Sequence, residues 1–228
     1  MTDFKYYALA DAHLATGFTV VIDVLRAFTT AACAFASGAE KIIPVSEVQE
    51  AQSLKDRFPN ALTMGEVNGI QPDEFDFGNS PVAIRQVDLE GKTLIQRTTA
   101  GTQGLIKAVN ADRVIAASFT VARATANYIR AIKPDRVSII VTGESLGRDG
   151  DEDRACGEYI EALVNGFVPD PAPFIHRVRT SSAGNSFINN DDHSLIKDLE
   201  ISVSIDLFSF CLPVFRKDKI LVMRNEYP

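Results

Sequence analysis

Asp23 closes the run Phe18-Thr-Val-Val-Ile, and Arg26 and the pair Thr29–Thr30 follow it within two helical turns. A short apolar run rich in β-branched residues and ending in an acid reads as a buried parallel strand that opens toward a crevice. In open α/β sheets, ligands sit outside the carboxyl ends of the strands. Arg97-Thr-Thr-Ala-Gly-Thr102 and Thr142-Gly-Glu144 stand at the ends of two further apolar runs. A carboxylate, a guanidinium and hydroxyl-rich turns gathered at one sheet edge suit a small anion held together with a divalent metal.

Gly101 and Thr102 open a helix just after Thr98 and Thr99. Amides and small hydroxyls there bind phosphate or sulfonate, although the same residues also cap ordinary helices. The turn Gly65-Glu66-Val-Asn68-Gly69 follows another strand, and Gly78-Asn79-Ser80-Pro81 closes the loop it begins. Glu66 and Asn68 are candidates to reach a metal or a substrate oxygen, and Pro81 marks the next helix start. Glu144, Asp149, Asp151, Glu152 and Asp153 cluster before a helix. Such a run complements the helix dipole, and Glu152 or Asp153 is also a candidate magnesium ligand, because that ion takes one or two carboxylates plus substrate oxygens.

Several chemistries find no support. Leu25 stands where a haloacid-dehalogenase-type phosphatase needs its second Asp, and no Gly-Lys-Ser/Thr follows Gly101 to make a P-loop. Cys156 has no Cys-x5-Arg loop, and His13, His176 and His193 are isolated. No Gly-x-Gly-x-x-Gly follows the first strand, which argues against a nicotinamide oxidoreductase.

Strands expected at 18–23, 41–45, 61–64, 93–97, 113–116 and 137–142 alternate with helices at 26–37, 47–57, 102–109, 119–132 and 152–165. This order predicts a three-layer α/β/α fold with a mainly parallel or mixed sheet. The polar, Gly- and Pro-rich stretch 65–81 is long enough to be functional. Residues 166–173, Gly-Phe-Val-Pro-Asp-Pro-Ala-Pro, read as a stiff connector, so 1–228 is either one domain or two close lobes. The tail is expected to hold a polar patch at 181–194, a β-like run at 201–212 and a strand at 219–224.

With 228 residues of which 46% are hydrophobic, the chain can bury a substantial core. A net charge of −7 argues against nucleic acid as partner. Three widely spaced cysteines, with no signal-peptide pattern or membrane-length apolar run, suggest a cytoplasmic protein with reduced thiols.

Together these motifs resemble the 2-phosphosulfolactate phosphatase (ComB-like) family of coenzyme M biosynthesis. Asp23-Val-Leu-Arg-Ala-Phe-Thr-Thr30 is similar to the family's Asp-Val-Leu-Arg-Ala-Thr-Thr-Thr, and Gly65-Glu-Val-Asn-Gly69 to its Gly-Glu-Arg-Asn-Gly. Gly78-Asn-Ser-Pro81 is unchanged, and Thr98-Thr-Ala-Gly-Thr102 resembles Thr-Thr-Asn-Gly-Thr. Thr142-Gly-Glu144, Glu152-Asp153 with Gly157, and Ile205-Asp-Leu-Phe208 resemble Gly-Thr-Glu, Glu-Asp-x-x-x-Gly and Val-Asp-x-Phe. Val67, Ala100, Gln103 and Leu207 depart from family positions held by Arg, Asn, Arg and Arg.

The resemblance implies a magnesium-dependent phosphatase that hydrolyses the phosphate ester of a small 2-hydroxy acid, with a homodimer as a candidate assembly. Asp23, Arg26, Glu66 and Glu144 are expected to be catalytic, with magnesium on Asp23 and on Glu152 or Asp153. Thr29, Thr30, Asn68, Asn79, Ser80, Thr98, Thr99, Gly101 and Thr102 are expected to contact substrate. Asp23 reads either as a nucleophile that forms an acyl phosphate or as a metal ligand. The departures raise an alternative, an anion-binding or regulatory protein on the same fold with altered catalysis, and put the sulfonate preference in question.

Overall fold

Alternating burial along single strands divides the molecule into layers. In a computed structural model that describes residues 2–145, 147–218 and 220–228, strand β2 (Gly17–Ile22) turns Phe18, Val20 and Ile22 to one face and Val21 to the other. Strand β7 (Arg136–Val141) does the same, with Val137, Ile139 and Val141 opposite Ile140. Helices α5 (Ala122–Ile132) and α6 (Asp151–Val164) cover the first face, while α1 (Ala27–Ala36) and α4 (Gly101–Lys107) cover the second. This is the expected three-layer α/β/α arrangement, because a sheet apolar on both faces needs a helical layer on each.

The remaining strands are β1 (Asp3–Ala8), β3 (Lys41–Val45), β4 (Leu62–Gly65), β5 (Thr93–Arg97), β6 (Ala111–Ala117), β8 (Leu212–Lys217) and β9 (Ile220–Met223). They form one nine-stranded mixed sheet in the order β1-β7-β2-β6-β8-β9-β3-β5-β4. Neighbours are parallel within β1-β7-β2-β6 and within β3-β5-β4. The steps β6–β8, β8–β9 and β9–β3 are antiparallel. Three reversals leave the two parallel sets running in opposite directions. The expectation of a single shared edge is therefore corrected: Asp23 and Thr142 follow strands of one parallel set, Glu66 and Thr98 strands of the other, and residues of both sets line one cavity.

Helix α2 (Val48–Arg57) follows β3, and the short α3 (Pro81–Ile84) begins at the expected proline, capped by Ser80. The tail differs from expectation. The polar patch 181–194 holds helix α8 (Ser182–Ile188) and the start of α9 (His193–Ser202). Each has a side-chain N-cap, Ser181 accepting from the Gly184 amide and Asp192 from the Ser194 amide. The run 201–212 alternates like a strand, yet α9 occupies its start and Asp206 adopts φ 56°. That left-handed residue interrupts any ladder, and the segment is instead strapped to 119–123 through Asp206 N to Phe119 O and Phe208 N to Thr120 O. Helix α7 (Ala172–Thr180) takes over the end of the connector. The final strand occupies 220–223 of the expected 219–224, with residue 219 outside the described residues. Strand β1 carried too weak a pattern to be expected.

Candidate active site

The two carboxyl edges enclose a cavity of about 340 Å³ lined on one side by Asp23, Thr142, Gly143, Glu152 and Asp153 and on the other by Glu66, Asn68, Thr99 and Ala100. Asp23 leaves β2 and serves two purposes. Its Oδ1 accepts the Ala27 amide at 2.9 Å and so caps α1, while Oδ2 faces Gly101. A side chain at Gly101 would put Cβ 2.7 Å from that oxygen and 2.6 Å from Ala27 Cβ, so only glycine lets the edges approach this closely.

Asp153 is pinned from three directions. Its Oδ1 accepts the Val24 amide at 2.8 Å, and its Oδ2 accepts the Gly143 amide at 2.7 Å and Thr142 Oγ1 at 3.2 Å. Glu152 is 2% exposed, and its Oε2 has no hydrogen-bond partner. A buried carboxylate oxygen left without a donor is costly unless a proton or a cation meets it. Burial drives the Asp23 carboxyl up to about 6, against the Ala27 amide, and the neighbouring Glu66 charge adds to the rise. Burial likewise raises Glu152, and it lifts Asp153 well above the carboxylate range with help from the charges of Glu152 and Asp23. Three acids that resist losing their protons together describe a place that would gain from positive charge.

Glu66 is occupied differently. Its Oε1 accepts the Thr99 amide at 2.6 Å, while Oε2 accepts the Gly69 amide at 2.6 Å and Thr99 Oγ1 at 2.8 Å. It staples the 66–69 turn to the end of β5, so a charge stands at the cavity wall with its oxygens already engaged. Asn79 also lines the cavity and is buried, with Oδ1 unpartnered.

The structure does not bring every expected residue to the cavity. Glu144 turns outward and pairs with Arg154 at 3.3 Å. Thr29 Oγ1 donates to Val24 O at 2.9 Å, and Thr30 is buried without a polar partner. Thr98 and Thr102 satisfy one another, Thr102 N donating to Thr98 Oγ1 at 3.0 Å and Thr98 N to Thr102 Oγ1 at 2.9 Å. The Gly101 amide is directed at Asp23, so these groups at the start of α4 are engaged with the protein's own residues. Ser80 caps α3 and donates to Asp198, away from the cavity lining.

Three residues that sequence reasoning did not single out belong to the site. Arg148, in the loop between β7 and α6, lines the cavity and lowers the Asp23 and Glu152 carboxyls electrostatically. Phe187 of α8 also lines it, with its ring 5.1 Å from Arg26 Cζ. Asp198 of α9 lies behind, holding Arg26 at 2.5 Å. An arginine among glycines after a strand was a readable signal for Arg148, whereas nothing in the pattern around Asp198 marks it. Of the four departures, only Ala100 lines the cavity. Gln103 is engaged with Ser46 O at 3.0 Å, and Leu207 is an exposed residue of the strap.

No group of three or more His, Cys, Asp or Glu in ready-made ligating geometry exists among the described residues. Two carboxylates with an orphan oxygen fit an ion that keeps most of its shell for water and substrate.

A family profile described as 2-phosphosulpholactate phosphatase matches residues 5–216. The Bacillus subtilis protein named "Probable 2-phosphosulfolactate phosphatase" is 34% identical over 81% of this chain and 78% of its own length. A Thermotoga petrophila protein of the same name is 41% identical over 83% and 85%, and one from Carboxydothermus hydrogenoformans is 49% identical over 64% and 59%. With a match reaching from β1 into β8, the chain belongs to the 2-phosphosulpholactate phosphatase family.

Proposed function

We propose that this chain is a phosphoric monoester hydrolase that releases phosphate from a small phosphorylated 2-hydroxy acid of the 2-phosphosulfolactate type, with magnesium as cofactor. The observation that carries the reading is the buried trio Asp23, Glu152 and Asp153 facing Arg26 and Arg148 across one small cavity. Asp23 and Glu152 would hold the ion, since Glu152 Oε2 has no hydrogen-bond partner and Asp23 lines the same cavity. Bound there, magnesium would neutralise the charge of the phosphate's non-bridging oxygens.

Arg26 and Arg148 orient the anionic ends of the substrate and offset the negative charge of four cavity carboxylates. Asp153 reacts with nothing in this scheme; its bonds to Val24 and Gly143 keep the two strand ends in register. Asn79 offers a buried amide to a substrate oxygen. In the overall step water bonds to phosphorus and the ester P–O bond breaks. The proton given up by water ends on the 2-hydroxyl of the released acid. The three cysteines are free and buried, in keeping with a reducing compartment, and no helix among the described residues is long and apolar enough to cross a membrane.

Turnover of 2-phosphosulfolactate, 2-phospholactate and phosphoglycolate, each with magnesium and with excess chelator, tests the reading. Magnesium-dependent phosphate release is expected from the first two. Full activity in chelator would remove the metal, and no release from any of the three would overturn the substrate class.

A further inference from the structure

Asp198 sits on α9, outside the cavity lining, and is completely buried. A buried carboxylate is tolerated only when charge and donors meet it. Its two oxygens divide the task. Oδ1 accepts Ser80 Oγ at 2.7 Å and the Val82 amide at 3.1 Å, and Oδ2 accepts Arg26 Nη1 at 2.5 Å. One side of the carboxylate therefore holds the turn that carries Asn79, and the other holds the guanidinium.

We propose that Asp198 is a positioning residue that fixes Arg26 for the anionic substrate and keeps it off the cavity's own acids; this rests on the reading of the cavity given above. Four carboxylates line the same cavity as Arg26, namely Asp23, Glu66, Glu152 and Asp153. A long, flexible guanidinium left unheld would pair with the nearest of them. It would then cancel the charge that is to meet a cation and withdraw its own from the substrate. Asp198 supplies a buried partner in a fixed direction, and the Phe187 ring, 5.1 Å from Arg26 Cζ, adds a second restraint. The arrangement keeps Arg26 in place while leaving part of its fork for an incoming anion.

Two substitutions separate this role from simple support of the fold. Asp198→Asn keeps an oxygen for Ser80 and Val82 and removes only the charged partner of Arg26. Ser80→Ala removes the hydroxyl on the other side and leaves the ion pair intact. Calorimetry with inorganic phosphate, in magnesium chloride, reads the anion site without requiring turnover. Asp198→Asn is expected to raise the phosphate Kd about tenfold or more, the scale of one misplaced charge-assisted bond. Ser80→Ala is expected to lower Tm while leaving Kd within about twofold. In turnover, the KM for 2-phosphosulfolactate should follow the phosphate Kd. Asp198→Glu, which keeps the charge but shifts it by one methylene, should fall between and carries the test if the Asn variant does not fold. Equal weakening by Asp198→Asn and Ser80→Ala would overturn the inference, as would an unaltered chain that binds no phosphate. An unaltered chain that binds phosphate but hydrolyses no hydroxy-acid ester refutes the proposed function alone, and the Kd comparison still decides the role of Asp198.

Discussion

Replacing Asp23 by Asn should stabilise the protein when magnesium is absent, although it removes a residue at the centre of the site. The Asp23 carboxyl is carried from 3.8 up to about 6 by burial and by the charge of Glu66. At about 1.36 kcal/mol per tenfold change, that displacement corresponds to about 3 kcal/mol lost when the group is ionised in the fold. Asn keeps the bond from the Ala27 amide but turns an NH2 toward Gly101, which costs about 1 kcal/mol. The net gain of about 2 kcal/mol corresponds to a Tm rise of roughly 4–8 °C for a chain of this size. The sign follows from linkage. A carboxyl whose folded value is raised favours the fold below its unfolded value, and that contribution is lost as pH climbs through the folded one. Metal-free wild-type protein should thus gain stability relative to Asp23→Asn as pH falls from about 7.5 to about 4, and the gap should close there. Thermal melts in chelator across this range measure it, and magnesium should then raise the Tm of the wild-type protein while leaving Asp23→Asn unmoved. An Asn variant that is the less stable protein near pH 7.5, by a margin that does not change with pH, would refute the electrostatic account of the trio.

Two other substitutions probe the walls of the cavity. Gly143→Ala would place Cβ 2.4 Å from Glu152 Oε1 and 3.2 Å from Asp153 Oδ2, forcing both acids aside. A loss of about 1–3 kcal/mol in denaturant unfolding is expected, together with a fall in turnover of about 100-fold. Arg148→Ala removes a half-buried cation from a loop and should weaken inorganic phosphate about tenfold in calorimetry. Its unfolding free energy should fall modestly in chelator, because Arg148 also offsets the charge of Asp23 and Glu152.

Legibility in the sequence followed how local the determining forces are. Strands β3 and β5 were readable to the residue, since short apolar runs bounded by turns have few alternatives. Asp23, Glu152 and Asp153 were readable as candidates because Asp23 closes an apolar strand and the other two open a helix. Their company was harder: the sequence pattern carries no sign that β3-β5-β4 run opposite to β1-β7-β2-β6, because strand direction depends on distant pairing. The threonine hydroxyls were harder to place for a different reason. Thr98 and Thr102 can serve a ligand or one another, and four residues of separation on a helical turn favours one another. Glu144 was drawn outward by Arg154, ten positions later, a pairing that spacing leaves undecided. The tail misled most, because Ile201-Ser-Val-Ser-Ile205 alternates like a strand while helix α9 claims its first residues.

The position of β8 and β9 in the sheet has a consequence for how the molecule is made. They are the last strands in the chain, yet they occupy the middle of the sheet, between β6 and β3. Until they arrive, each parallel set presents an open edge, and such edges recruit other chains. The seam also closes contacts between segments far apart in the sequence, which slows folding. A nascent chain can assemble each half early, but the edges bearing Asp23 and Thr99 acquire their mutual placement only when the hairpin threads between them. Chaperone demand and aggregation during synthesis should accordingly concentrate in the interval before Leu212–Met223 emerges.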